Sequence, residues 1–268
     1  MLVHPQFDPV ALQLGPVALH WYGLMYVFGF LSVYLLWLYR IKHYEHVANQ
    51  GWTADHAADL VFYGALGAVL GGRLGYVLFY KPLEYLGNPL EILMINQGGM
   101  SFHGGLLGVI VALALFGRKT GYSFWQIAEF VAPVAAIGLF FGRMGNFINQ
   151  ELWGIPSDVP WAMVFPAVDN LPRHPSMLYE AALEGLVLFA VLWWLARVPR
   201  HSGFLSGVFL IGYAASRMLV EFVRVPDQHL DYLYFDWVTM GHILSLPMLL
   251  FGLYLVLSSK RRGPLPSH

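Results

Sequence analysis

The sequence has 268 residues, of which 57% are hydrophobic, 16% aromatic and only 12% charged, with a formal net charge of −1. A soluble domain carries roughly 25% charged residues, so the composition is that of a membrane protein, and the balanced charge, with no basic run among aromatics, sets nucleic-acid binding aside. There is no cysteine, which excludes disulfides, thiolate metal sites and a cysteine nucleophile of the protein's own.

Residues Met1 to Leu14 contain no Lys or Arg, and no small-residue cleavage site follows the first apolar run. The first span is therefore expected to be retained rather than removed as a signal peptide. Runs of about 17 to 25 mostly apolar residues, the length that crosses a bilayer, fall at 17–39, 57–80, 102–117, 123–142, 177–197, 203–222 and 239–257. This predicts an all-α integral membrane protein, a bundle of about seven transmembrane helices forming one polytopic domain over 1–268. The third and fourth spans are separated only by Gly117 to Tyr122 and are expected to pack together.

Arg40 and Lys42, Arg118 and Lys119, Arg197 and Arg200, and Lys260 to Arg262 all fall in loops on one side of seven spans. That side reads as cytoplasmic, which puts the N-terminus out and the C-terminus in. The longest opposite loop, about 145–175, is rich in Pro, Gly, Asn and Trp and is expected to form a small periplasmic cap. His43 and His46 lie on the cytoplasmic side and read as solvated. Gly64, Gly67, Gly71 and Gly75 form one stripe of the second span, and Gly104 and Gly108 a second stripe in the third; both are expected to serve close helix packing.

Ionisable groups within spans each need a partner, a cavity or a function. Tyr26 lies one turn into the first span after Tyr22. His103 opens the third and could accept a proton near neutrality. Arg143 and Asn146 sit one turn apart at the end of the fourth, among glycines, and a planar guanidinium beside an amide suits a phosphate or carboxylate. Tyr213, Arg217, Glu221 and Arg224 share one face of the sixth. Arg217 and Glu221 could simply neutralise each other, and an interfacial Arg143 could simply reach for lipid head groups. With the loop charges fixing orientation, however, these features, with Tyr179 and Glu180, all fall toward the outer side, which predicts a polar, net-positive pocket there. An anionic-solute or lipid transporter would place its arginines nearer the midplane with inverted repeats, and no repeat is visible. No glycine-flanked serine elbow and no H-E-x-x-H occur. What survives is an enzyme or binder for an anionic lipid.

The run Gly142-Arg143-Met144-Gly145-Asn146-Phe147-Ile148-Asn149-Gln150-Glu151-Leu152-Trp153-Gly154 resembles the signature of bacterial prolipoprotein diacylglyceryl transferases. Similar segments of that family match His20 to Tyr26, His103 to Gly108, Arg173 to Ser176 with Leu178-Tyr179-Glu180, and Arg217 through Arg224 with Pro226-Asp227. One position departs: Met177 stands where Gln is expected. The resemblance implies an inner-membrane transferase that moves the diacylglyceryl group of phosphatidylglycerol onto the lipobox cysteine of a prolipoprotein signal peptide and releases glycerol phosphate, without metal or other cofactor. It also implies roles for Tyr26, His103, Arg143, Asn146, Glu151, Gly154, Arg217 and Glu221. The chemistry fits the residues: guanidiniums at Arg143 and Arg217 would meet the charge growing on a phosphate leaving group, and His103 could take the thiol proton. Arg73 and Arg224 are expected to matter for packing.

Overall fold

The computed structural model describes residues 2–79, 81–94, 98–226, 233, 235 and 237–265. In chain order they form β1 (Leu2–Val3), β2 (Val10–Leu14), β3 (Val17–His20), α1 (Trp21–His43), α2 (Glu45–Ala48), α3 (Ala54–Phe79), α4 (Pro82–Gly87), a 3-10 turn (Pro89–Leu93), α5 (Phe102–Thr120), α6 (Phe124–Ile148), β4 (Met163–Val164), β5 (Pro172–Arg173), α7 (Ser176–Glu180), a π-helical segment (Ala181–Val187), α8 (Leu188–Leu195), α9 (Phe204–Glu221) and α10 (Met240–Arg262). Among the described residues, six helices are long and apolar enough to cross a membrane: α1, α3, α6, the continuous helix Ser176–Leu195, α9 and α10. The protein is a multi-pass, all-α membrane protein. The expected third span is α5, of 19 residues.

Of the boundaries that differ from the sequence reading, two bear on the site and its approach. Val17–His20 pairs antiparallel with Val10–Leu14 across a turn at Gly15, whose φ is +59°, so hairpin formation claims the first four residues of the expected span and the helix begins at Trp21. The fourth span continues six residues past its expected end, to Ile148, which carries Arg143 and Asn146 on helical turns. The last residue of the expected second span, Tyr80, and Asp227 lie outside the described residues.

The chain gathers into two compact units, one of Met1–Leu36 and Ala128–Leu265, the other built on Trp37–Ile127. In the second, α3 and α5 meet along their glycines. A Cβ on Gly104 would strike the Gly71 carbonyl and one on Gly108 the Gly67 carbonyl; backbone-to-backbone approach is what small residues permit where lipid offers no hydrophobic drive. Gly67, Gly71 and Gly75 belong to this seam, whereas Gly64 faces open space. The expected partner for the third span therefore has to be corrected: α5 gives its glycine face to α3. Ser101 caps α5 by accepting from the Gly104 amide, and Gly121, at φ +82°, ends the helix in the left-handed region that glycine tolerates.

Arg73, also in this unit, is buried and donates to the carbonyls of Glu91 (2.5 Å), Ile92 (2.9 Å), Gly98 (2.7 Å) and Gly99 (3.2 Å). Its charge is absorbed by backbone dipoles, which ties the chain after α4 to α3. Near the other end of α3, Trp52 stacks on Tyr122 (4.1 Å between ring centroids) and Lys119 pairs with Asp59 at 2.9 Å.

In the first unit, Ala132 and Ala136 of α6, Leu188 and Leu192 of α8 and Leu205 of α9 form the apolar core. Glu129 of α6 is buried and accepts from the Leu205 and Ser206 amides (2.9 Å each), capping α9 from a neighbouring helix. Gly207 of α9 and Gly252 of α10 face each other's carbonyls. β4 pairs antiparallel with β5 and parallel with β1.

The seam yields a contrast. Gly104→Ala forces a methyl into the Gly71 backbone and is expected to destabilise by about 1–3 kcal/mol. Gly64→Ala meets nothing and gains helix propensity, so its thermal unfolding midpoint in detergent should be unchanged or higher.

Candidate active site

The site grows from the problem of charge in an apolar setting. Glu180 of α7 and Glu184 of the π-helical segment have fully buried side chains, and each is met from α6 by Arg143: Nε lies 3.2 Å from Glu180 and Nη2 3.1 Å from Glu184. Glu180 also accepts a short hydrogen bond from Arg217 of α9, whose Nη2 is 2.8 Å from Glu221. Arg224 approaches Glu221 at 3.7 Å. The network thus runs Glu184, Arg143, Glu180, Arg217, Glu221, Arg224 over three helices. A planar guanidinium spans two carboxylates in this way through a rigid fork of donors, which a compact ammonium does not offer.

This corrects the expected net-positive pocket. Among the described residues, three guanidiniums in the network face three carboxylates, so the cluster is formally neutral. The Arg217–Glu221 pairing read from the stripe is present, but Arg217 has Glu180 as well.

Glu221 is held from its far side. Thr239, which caps α10, donates to it at 2.7 Å, and Gly241 packs against its carboxylate where any Cβ would collide. His242 faces Thr239 with Nδ1 at 3.2 Å.

Next to this network the end of α6 breaks into a tight turn. Gln150 and Leu152 have φ of +56° and +58°, a left-handed conformation costly for side chains with a Cβ. They flank Glu151 and turn it back to the helix: Asn146 donates to it at 2.9 Å and Asn149 at 3.1 Å. Asn146, Gln150, Glu151, Leu152, Trp153, Arg224, Val225 and Pro226 line a pocket of about 400 Å³. Arg224, expected to serve packing, therefore also forms a wall of this pocket.

Gly154 sits where three stretches of chain meet. Its amide donates to the His174 carbonyl at 2.8 Å, the next amide donates to Val223 at 3.0 Å, and Arg173 donates to the Gly154 carbonyl at 3.2 Å. A Cβ here would strike the carbonyls of Val223 and His174. Arg173 lies over the Trp153 ring and pairs with Asp169, whose carboxyl it holds below the ordinary carboxylate range. Trp161 donates to the Tyr179 hydroxyl at 2.7 Å, which faces Nδ1 of His174 at 3.0 Å. Burial lowers the His174 pKa, so its ring stands ready as an acceptor for Tyr179.

Of the residues singled out by sequence, the structure brings together Arg143, Arg217 and Glu221 in one network, and Asn146, Glu151 and Gly154 along the adjoining turn. Tyr26 is half exposed on α1, its ring edge-on to Tyr22 at 5.3 Å; the Tyr22 ring covers Gly145. His103 lies in the unit built on Trp37–Ile127, in the first turn of α5. Met177 is fully buried. Sequence reasoning missed Glu184 and Thr239. The signal for Glu184 was its position four residues after Glu180 within an apolar span, a second carboxylate in need of a cation.

A family model described as prolipoprotein diacylglyceryl transferase matches residues 9–258. The chain belongs to that family. It is 59% identical over 264 residues to the phosphatidylglycerol–prolipoprotein diacylglyceryl transferase of Bordetella avium (strain 197N), with 98% of each chain covered. The protein of that name from Methylobacillus flagellatus is 56% identical over 262 residues, covering 98% of this chain and 100% of the relative. For that of Legionella pneumophila (strain Lens) the identity is 52% over 255 residues, with 95% and 98% covered.

Gly154→Ala is expected to part the three-way junction, lowering the unfolding midpoint by the equivalent of about 1–3 kcal/mol. Thermal unfolding beside wild type checks this; an unchanged midpoint would mean that the junction has room.

Proposed function

We propose that this chain transfers the diacylglyceryl group of phosphatidylglycerol to the thiol of the lipobox cysteine of a prolipoprotein signal peptide, the first step of lipoprotein maturation. It does so as an enzyme of the bacterial inner membrane, N-terminus out, with its site toward the periplasm. The observation that carries the reading is the sharing of Glu180 by Arg143 and Arg217, which fixes two guanidiniums side by side in a family member matched over almost its whole length.

In the reaction, the cysteine sulfur attacks the glycerol carbon that bears the phosphate. A carbon–sulfur bond forms as the carbon–oxygen bond breaks, and the electron pair goes to the departing glycerol phosphate. The barrier falls when fixed donors meet that growing charge, the role of Arg143 and Arg217. Because the network is neutral at rest, the phosphate must share a guanidinium with a carboxylate. Glu180, Glu184 and Glu221 act here by aiming the arginines. His103 accepts the thiol proton, since an imidazole can take a proton from a group of pKa near 8.5 at modest cost. Asn146, Glu151 and Gly154 shape the adjoining pocket, and Tyr26, half exposed on α1, joins the catalytic residues in this reading.

Purified protein in detergent, mixed with phosphatidylglycerol and a synthetic lipobox peptide, should add a diacylglyceryl mass to the peptide and release glycerol phosphate in equal amount. Release without a mass gain, or neither, would overturn the assignment. Arg143→Ala and Arg217→Ala are each expected to lower this transfer at least about 100-fold, the scale of losing a fixed donor to developing charge. Arg143→Lys should keep less than about a tenth, because a compact ammonium lacks the rigid fork that meets Glu180 and Glu184 from two nitrogens; near-normal transfer by that variant would remove the planar fork from the mechanism.

A further inference from the structure

The N-terminal strand is followed by a histidine that the transfer chemistry does not use. His4 is 1% exposed. β1 lies parallel to β4, and the His4 amide donates to the Val164 carbonyl at 2.9 Å, which delivers the ring to the end of α6. There Nε2 is 2.8 Å from the carbonyl of Phe147, and Nδ1 faces the Gln6 amide at 3.1 Å. A backbone amide can only donate, so Nδ1 is the acceptor and the proton sits on Nε2, which donates to Phe147. Gln6 holds a left-handed φ of +51° to complete this turn. The rings of Phe147 (4.7 Å), Phe7 (5.6 Å) and Phe165 (5.7 Å) enclose the imidazole.

The carbonyl of Phe147 matters because it anchors the strained turn at the end of α6. It also accepts from the Gln150 amide at 3.1 Å, the first hydrogen bond of the left-handed turn through Gln150 and Leu152 that sets Glu151 against Asn146. A strained turn persists only where its surroundings over-determine it. His4 supplies that support from the far end of the sequence.

We propose that His4 is a positioning residue for the transferase site: donating to Phe147 and accepting from Gln6, it locks the turn that holds Glu151 against Asn146, and it does so only as neutral imidazole. This rests on the transferase reading of that site. A proton on Nδ1 would face the Gln6 N–H donor to donor and push residues 5–7 away. Burial lowers the His4 pKa, opposed by the Phe147 carbonyl. On the elements around it Arg143 is engaged with Glu180 and Glu184, Glu151 with Asn146 and Asn149, and Asp8 with the Val10 amide; β4 carries no ionisable side chain. The lock is therefore intact above the ordinary imidazole value of about 6.5 and is lost as pH falls through the lower value of the folded protein.

The test compares kcat/KM for transfer to a lipobox peptide between pH 5 and 8 in wild type, His4→Gln and His4→Ala; transfer by wild type at pH 7.5 first secures the transferase reading independently of His4. Gln can donate to Phe147 at every pH in this range. His4→Gln should keep at least a third of wild-type kcat/KM at pH 7.5, and the ratio of His4→Gln to wild type should rise at least threefold toward pH 5, a change that a residue needed only for folding would not produce. His4→Ala should lose at least tenfold at pH 7.5 with its elution profile in detergent unchanged; if it fails to fold, the ratio measured with His4→Gln decides alone. A ratio flat with pH, a folded His4→Gln below a tenth of wild type, or a folded His4→Ala as active as wild type would each overturn the proposal.

Discussion

The cost of placing charge among apolar helices governs this site. An ionised group within a span costs at least about 2.5–3.5 kcal/mol, and a buried pair repays that only with good geometry and its remaining lone pairs engaged. Here the solution is a chain of alternating charge. Arg143 of α6 and Arg217 of α9 each touch two carboxylates, and Glu180 and Glu221 each touch two arginines. Three helices are thereby fixed in relation to each other. The guanidinium planes have no freedom to wander, which is what a site built to meet developing charge requires. Arg73 shows the other solution in the same chain, with backbone carbonyls in place of acids.

Around this network, backbone geometry does the shaping. The left-handed Gln150 and Leu152, the close-packed Gly154 and the cap of α10 at Thr239 each bring chain ends to the edge of the charge cluster. The strain at Gln150 and Leu152 is tolerated because hydrogen bonds from Asn146 and Asn149 on one side and Ala167 on the other hold the turn. Rigidity at the polar end and slim glycine contacts at the helix seams are two uses of the same rule: backbone approaches backbone only where side chains are absent or tied down.

The spans and the glycine stripes were legible because hydropathy over twenty residues and a period near four are local properties. The arginines stood out for the same reason, since Arg143 and Arg217 interrupt apolar runs. Their further partners were less visible: Arg143 and Glu184 are 41 residues apart and Arg217 and Glu180 are 37 apart, so no window contains either of these pairs, and the site read as net positive. Glu221 looked self-sufficient with Arg217 because its further neighbour, Thr239, lies 18 residues on in the sequence. The strand at Val17–His20 was hidden by its own hydrophobicity, which a span and a hairpin share. The seam between α3 and α5 was read as two stripes, but choosing the partner needed three dimensions.

The alternating network also bears on how the chain enters the membrane. Arg143 leaves the ribosome with α6 complete, and its acids arrive on the next long helix, Glu184 only 41 residues later. Inserted alone, α6 would carry an uncompensated guanidinium into lipid; alone, the helix Ser176–Leu195 would carry two bare carboxylates. Each is a poor passenger and the two together are a good one. Biogenesis therefore favours handing α6 and the helix Ser176–Leu195 to the bilayer as a pair.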